Sequence, residues 1–215
     1  MQTKTLFMTL VLSATMASQA YCQISYESTS FESLATAETD AGPEYSYVIN
    51  RGDEVGPDGT YTFNETGSAP GYGSSASVTV EHNSELRSTG FHLTGAASGN
   101  VADDYGYAAC SANSESIVSI TFTLTQTRRI SLAGTLALTG SSPPDDYSNY
   151  IELRRPNGTL VTSSSGVGPF SYRGRLAAGT YSFYASSQVL RAIDFSGGDV
   201  YENSTASFDV ELTAR

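Results

Sequence analysis

The sequence predicts an all-β protein, an antiparallel, jelly-roll-like β-sandwich formed by a single domain. Apolar and polar residues alternate with a period of two along most of the chain, which places one face of each strand on a core and the other in water. Turn residues separate these runs about every 8 to 15 residues, a spacing typical of sandwiches and jelly rolls. Helical periodicity is nearly absent. The length of 215 residues fits one all-β unit better than two domains, since cores are usually built at roughly 100 to 200 residues each.

The second half of the chain contains the clearest strands. Apolar residues alternate with Thr over 120–125, with Ser and Thr over 130–139, and with Ser, Asp and Glu over 207–212. A hairpin turn is predicted at Asn157-Gly158, because Asn-Gly accepts the positive φ angles of tight turns. Strands at 151–153 and 160–161 flank this turn, and another strand follows Gly179. The predicted core consists of Phe122, Leu132, Leu136, Leu153, Phe183, Phe208 and Val210.

The first half is less regular, and its strands are predicted at 45–49, 60–63, 76–82, 90–94 and 105–110. Polar loops such as 66–71 separate them. Residues 21–115 contain little Leu, Ile or Val, and antiparallel strands need partners. We therefore expect strands from both halves of the chain to interleave in one sandwich.

Residues 1–20 are typical of a signal peptide. Lys4 provides the positive start, an apolar run covers 6–16, and small residues at 17–20 offer a cleavage site before Tyr21. The mature sandwich domain is then 21–215, and the protein is expected to be secreted to the extracellular space. No later stretch approaches the ~20 apolar residues that a membrane-spanning helix needs, so no membrane span is expected. The bulky Tyr21 disfavours lipid attachment at Cys22.

The charge distribution is acidic and uneven. The chain has 22 acidic and 11 basic residues and a formal net charge of −11. Residues 21–120 contain 14 acids but only Arg51 and Arg87, whereas 121–215 contain eight acids and eight Arg. Such a surface repels nucleic acid and anionic membranes, so no nucleic-acid partner is expected. It is able to attract cations.

Two cysteines, Cys22 and Cys110, are compatible with a disulfide in an oxidising compartment. A bond closing so long a loop would stabilise the fold by roughly 4 to 5 kcal/mol in the chain-entropy model. Signal cleavage after Cys22 rather than after Ala20 would remove the first cysteine, so the pairing depends on the cleavage site. Two separated cysteines do not make a zinc site, which needs three or four clustered ligands.

Acidic loops are the candidate metal sites, since Ca²⁺ prefers six to eight hard oxygen ligands. A structural calcium ion is the one cofactor that the sequence suggests. The candidate ligands are Asp53, Asp58, Asp103, Asp104, Asp145 and Asp146.

Catalytic chemistry has little support in the sequence. A hydrolytic triad needs a histidine base, but His82 and His92 both continue a strand alternation, which places His92 on the solvent side. Glycosidase chemistry needs two carboxylates, which no motif identifies. Tyrosines near turns offer a different use, because their rings could stack on sugars. The candidate ligand-binding residues are Tyr105, Tyr107, Tyr147 and Tyr150.

Several segments within 119–213 carry a family resemblance. The strands SITFTLTQ, RISLAGTLALTG, FSYRGRLAAGTYSFYASS and ASFDVELT resemble the β-sandwich ectodomains of exported bacterial proteins of the PEP-CTERM-sorted kind. They are more distantly similar to the bacterial pre-peptidase C-terminal domain. The resemblance implies an exported sandwich and transfers no catalytic residue. The sorting tail of that family is missing after the last strand, which favours free secretion over anchoring.

Three function hypotheses follow. The first is a non-catalytic β-sandwich protein with a structural or adhesive role at the cell surface or in the extracellular matrix. Its partners would be extracellular polysaccharide or surface proteins. The alternative is a carbohydrate-binding module, since jelly rolls often host such sites. The second alternative is a secreted hydrolase.

Overall fold

The computed structural model describes residues 24–39, 45–54, 59–70, 73–104, 109–141, 144–194 and 199–215. These residues form twelve β-strands, and the described part of the chain contains no helix. The predicted signal peptide, 1–20, lies outside the described residues. The strands are β1 (Ile24–Thr39), β2 (Tyr45–Glu54), β3 (Gly59–Pro70), β4 (Ser74–Arg87), β5 (Gly90–Asp103), β6 (Cys110–Leu124), β7 (Arg128–Gly140), β8 (Asp146–Arg154), β9 (Leu160–Ser165), β10 (Gly168–Leu176), β11 (Gly179–Ile193) and β12 (Val200–Ala214).

The strands form two packed antiparallel sheets, which confirms the predicted β-sandwich. Sheet A has the order β2-β1-β6-β11-β8-β9, and sheet B has the order β10-β7-β12-β5-β4-β3. Sheet A packs face to face on sheet B: β6 lies mainly on β5 and β1 mainly on β4, whereas β11 packs on both β5 and β12. Buried and exposed residues alternate along most strands because successive side chains point to opposite faces of a sheet.

The last eight strands follow the strand order of a jelly roll. One half of the sandwich has the order β10-β7-β12-β5, and the facing half has the order β9-β8-β11-β6. The chain crosses between the sheets at every connection from β5 to β12 except the β8–β9 hairpin. This is the double Greek-key arrangement of jelly rolls, as the sequence predicted.

The first four strands extend both sheets at one side. β1 pairs with β6, and β4 pairs with β5. β2 and β3 are then the outermost strands of their sheets. Strands from both halves of the chain therefore share both sheets, as expected.

Two local predictions in the first half were wrong. β1 was not predicted, since a bulge places Glu27 and Ser28 both outward and breaks the period-two pattern. The predicted loop over 66–71 is largely strand, because β3 continues to Pro70 in register with β4. Proline is tolerated there because β3 is an edge strand. Of the predicted strand at 105–110, residues 105–108 lie outside the described residues, and β6 begins at Cys110.

The core contains two apolar clusters between the sheets. All seven residues of the predicted core are buried in the sandwich, each at most 2% exposed. They belong to the larger cluster, where the rings of Phe91 and Phe183 lie 5.0 Å apart between centroids. The smaller cluster consists mainly of Ala and Val from the N-terminal strands. The smaller size of these side chains explains why the first half gave a weaker pattern.

A buried polar group joins the two sheets near the N-terminal strands. His82 of β4 is 2% exposed, and its Nε2 lies 3.3 Å from the carbonyl oxygen of Glu32 in β1. Its Nδ1 lies 3.1 Å from Ser116 Oγ in β6. Since the carbonyl only accepts, Nε2 donates to it and Nδ1 accepts from the serine. This arrangement satisfies the neutral imidazole.

Candidate functional site

The acids predicted to bind metal are not brought together as a group. Asp53 lies in β2 and pairs with Phe31 of β1. Asp103 lies at the end of the sandwich where Thr39 of β1 pairs with Cys110. Phe31 is eight residues from Thr39 along β1. At about 3.3 Å per residue this is roughly 25 Å. Asp58 lies outside the described residues.

The remaining four acids lie at one end of the sandwich but have different environments. Asp103 is buried, whereas Asp104, Asp145 and Asp146 are exposed. Asp145 Oδ2 accepts a hydrogen bond of 2.7 Å from the backbone N–H of Ala192. The described ranges contain no group of three or more His, Cys, Asp or Glu side chains that could hold a metal ion. The calcium hypothesis stays a prediction without support from this geometry.

The candidate tyrosines divide between two settings. Tyr105 and Tyr107 lie outside the described residues. Tyr147 and Tyr150 were predicted as loop residues, but both lie in β8. Tyr147 is 39% exposed, and Tyr150 is half-buried on the outer face of sheet A.

Tyr150 belongs to a small polar network. Its hydroxyl donates to Glu152 Oε2 at 2.8 Å, and its ring lies 6.3 Å from the ring of Tyr184 in β11. Glu152 also accepts two hydrogen bonds from Arg154. The bonds to Arg154 lower the pKa of Glu152, and the bond to Glu152 raises the pKa of Tyr150. The sequence did not identify Tyr184.

The strand register argues against the predicted disulfide. Cys22 lies outside the described residues, two positions before Ile24. Ile24 pairs with Leu124, whereas the buried Cys110 pairs with Thr39 at the other end of β6, 14 residues away. At about 3.4 Å per residue this separation is close to 48 Å. Disulfide-bonded cysteines have Cα atoms within about 7 Å of each other, which is far less than the separation of Ile24 from Cys110, so the described strands give the predicted pairing no support.

The histidines do not form an accessible nucleophile site. His82 contacts Ser116 and Ser33, but burial at 2% exposure keeps a substrate from reaching this group. Burial lowers the pKa of His82 to about 4, opposed in part by its bond to the Glu32 carbonyl. His92 lies on the outer face of sheet B, as predicted, and its Nε2 lies 2.8 Å from Asp209 Oδ1.

A cluster of like charge is formed by a set of outward-facing arginines on sheet B. Arg175 of β10 pairs with Arg129 of β7, and Arg129 exchanges two backbone hydrogen bonds with Arg215, directly after β12. A row of three arginines therefore crosses three adjacent strands. Beside it, Arg173 pairs with Ser131, which pairs with Thr213. We call these six residues the arginine face: Arg129, Ser131, Arg173, Arg175, Thr213 and Arg215.

The arginine face lines a groove of about 760 Å³. Its four arginines are exposed, and no carboxylate within the described ranges forms an ion pair with any of their guanidinium groups. The two acids of β12 on the same sheet face are engaged elsewhere. Asp209 contacts His92 at 2.8 Å, and Glu211 lies 4.0 Å from Arg87.

Concentrating four arginines that form no ion pair with a described carboxylate is unfavourable, because like charges on neighbouring strands destabilise a sheet. Protection of a sheet edge is one explanation, since charged side chains on edge strands prevent pairing with other chains. It accounts for Arg173 and Arg175 on the edge strand β10. It does not account for Arg129 and Arg215, since β7 and β12 are interior strands.

Two short arginine motifs in the sequence indicate this face, although counting charges over each half of the chain does not reveal them. Arg128-Arg129 and Arg173-Gly174-Arg175 concentrate positive charge in an acidic protein. The spacing of two in the second motif places both arginines on one face of a strand. Their meeting with Arg215 depended on strand order, which the sequence pattern does not specify.

Comparisons with known proteins leave the chain without an assigned family. No protein-family model matches it, and no curated protein is similar enough to count as a relative. Weak structural similarity is found to the VP2 subviral particle of infectious bursal disease virus, at 14% identity and a TM-score of 0.21. That match covers 90% of this chain and 61% of the viral chain. A GH31 α-xylosidase from Xanthomonas citri matches at 10% identity and a TM-score of 0.18, over 81% of this chain and 27% of the enzyme.

The chain thus spans less than two thirds of the length of these structures, and scores this low carry no argument about function. The described residues include no helix long and apolar enough to cross a membrane.

Proposed function

We propose that this chain is a non-catalytic extracellular adhesive protein that attaches to anionic groups of a matrix or surface polymer through the arginine face. The observation that carries the proposal is the set of four guanidinium groups in one groove, with which no carboxylate of the described residues forms an ion pair. Each guanidinium has five N–H donors and no acceptor, so the face suits a partner rich in acceptor oxygens.

Guanidinium chemistry favours binding over catalysis at this face. Arginine stays protonated at any physiological pH, so it cannot exchange protons with a substrate as a general acid or base does. The other two side chains, Ser131 and Thr213, are hydroxyls without a base among the six residues of the face. The groove is thus suited to hold an anion and not to transform it.

A second candidate function is carbohydrate binding through the outer face of sheet A. The supporting observation is the Tyr150–Tyr184 pair beside Glu152 and Arg154, since aromatic rings and polar groups together favour sugar contacts. The polar groups of this network already bond to one another. A ligand would have to replace those bonds, which makes the arginine face the better supported site.

Adsorption of the purified mature chain to carboxylate-coated and hydroxyl-coated beads at low salt tests the proposed function. Wild-type protein should bind the carboxylate beads alone, although the acidic composition of the chain, with a formal net charge of −11 for the full sequence, opposes this. The double variant R129Q/R175Q should bind at least about tenfold more weakly, since hydrogen bonds to charged groups are worth ~1.5–3 kcal/mol each.

The control is R155Q, which removes the charge of one exposed arginine outside the face. Equal retention of R129Q/R175Q and R155Q would contradict the proposal. Loss of binding to a neutral polysaccharide on Tyr184→Ala would instead favour the sheet A candidate.

A further inference from the structure

The arginine face has a regular geometry that restricts what it can bind. Arg215, Arg129 and Arg175 are laterally adjacent on three neighbouring strands, so their Cα atoms are spaced by the strand separation of about 4.8 Å. The row is therefore roughly 10 Å long and runs perpendicular to the strands. A ligand that engages all three must carry anionic groups at several points along its length.

An isolated small anion would not match this row. One carboxylate or phosphate accepts from one or two guanidinium groups and leaves the rest unneutralised. The strand separation is close to the length of one sugar ring, so a chain of sugars with an acid on each ring presents charges at a comparable interval. The row therefore fits a linear polyanion better than a monovalent ligand.

The second row of the face adds hydroxyl groups. This row lies beside the arginine row and crosses the same three strands: Thr213 of β12 pairs with Ser131 of β7, which pairs with Arg173 of β10. Hydroxyls both donate and accept, as the hydroxyls of sugars do. The six side chains include no aromatic ring, which a single-stranded nucleic acid would use for base stacking.

Other polyanions fit less well. Duplex DNA admits an α-helix or a two-stranded β-ribbon into its major groove, whereas the arginine face crosses three strands of a six-stranded sheet. Anionic membranes attract clusters of basic residues placed on amphipathic helices or beside membrane spans, whereas this face is a strand surface.

We infer that the ligand of the arginine face is a linear acidic polysaccharide with a carboxylate on successive sugars, lying across β12, β7 and β10. The inference rests on the proposed function and names its partner. Because such a polymer repeats the same epitope, many copies of the protein would bind along one chain. Copies that present several such faces together would adhere by avidity.

The test measures binding of fluorescent polygalacturonate fragments to the mature chain by anisotropy over a series of salt concentrations. Hexamers should bind at least about tenfold more tightly than the monomer, and neutral dextran should not bind. R129Q/R175Q should weaken hexamer binding at least about tenfold and lower the salt slope by roughly two, or about one for each arginine removed. R155Q should change neither, and equal melting temperatures would show that the variants are folded.

Competition separates the inference from the proposed function. Arginine-dependent binding of dextran sulfate, duplex DNA or phosphatidylserine vesicles without binding of polygalacturonate would overturn the polysaccharide class and leave adhesion to anions standing. Equal affinity for monomer and hexamer would overturn the extended binding mode. Failure of every polyanion to bind at low salt would overturn both. Hexamer binding that R129Q/R175Q does not weaken would remove the arginine face as its site.

Discussion

At the scale of single residues, the buried His82 has a pKa that its environment shifts strongly. Its ring contacts β1 and β6 of the opposite sheet and lies edge-on to Phe31, with 5.6 Å between ring centroids. Burial lowers its pKa from 6.5 to about 4. The folded state therefore binds a proton less readily than the unfolded state.

This difference predicts a pH-dependent stability. Between pH 6.5 and 4 the unfolded chain is protonated at His82 while the folded chain is not, so the free energy of unfolding falls as the pH falls. From pH 7.5 to pH 5 we expect a loss of about 2 kcal/mol from this residue. Urea denaturation at both pH values measures it.

His82→Gln is the informative variant, because glutamine does not titrate. Its loss of stability between pH 7.5 and 5 should be smaller than that of the wild type, whatever its stability at pH 7.5. His92→Gln on the outer face of sheet B serves as the control. An unchanged pH dependence in His82→Gln would show that other groups cause the acid sensitivity.

At the scale of secondary-structure elements, register determines which face of a strand is buried. In β7, Leu136 is 1% exposed and opposes Phe208, whereas the neighbouring Thr135 points to solvent. A slip of one residue would exchange them. Leu136→Ala should therefore destabilise the fold by about 2–5 kcal/mol and Thr135→Ala by less than ~0.5 kcal/mol. Chemical denaturation of both variants tests the register, and comparable losses would contradict it.

The pairing of β1 with β6 also bears on the disulfide predicted between Cys22 and Cys110. Because it separates Ile24 from Cys110 by almost the whole length of β6, we expect no disulfide between Cys110 and Cys22 of the same chain. Thiol labelling in denaturant followed by peptide mass spectrometry measures this. A peptide pair joined through these two cysteines in a monomer would mean that the register of β1 is wrong.

At the scale of the whole molecule, opposite charges are concentrated in different regions. The acidic excess lies in the first half of the chain, whereas the arginine face lies on β7, β10 and the end of β12 in sheet B. Salt screens the repulsion among the acids whatever its valence. A calcium site would add a specific effect by mass action.

We expect calcium to raise the melting temperature no more than sodium chloride of equal ionic strength. Asp103 is buried, Asp145 bonds to the amide of Ala192, and the acids within the described ranges are not grouped for a metal. Thermal unfolding in the two salts measures the difference. A larger shift in calcium that Asp145→Asn abolishes would restore the site predicted from the sequence.

The candidate site shows why prediction reached only part of the molecule. Arg173 and Arg175 could be placed on one strand face from their spacing alone, because alternation is a local property. Their contact with Arg129 and Arg215 could not, since it depends on which strands are neighbours. Tyr150 was proposed as a tyrosine near a turn, but its partner Tyr184 comes from β11, whose position beside β8 no local pattern indicates.

The sequence by itself determined which side chains of the clearest strands face the core, and with them the all-β class, because alternation with period two depends only on neighbours in the chain. It did not predict β1, since a bulge and small apolar residues weaken that signal. Only the tertiary structure decided which strands are adjacent. Strand pairing joins residues far apart in sequence through backbone hydrogen bonds that nearly any side chains allow. The sequence predicted a jelly-roll-like sandwich, but the neighbours of each strand within it, the burial of His82 between the sheets and the arginine row arise at that level.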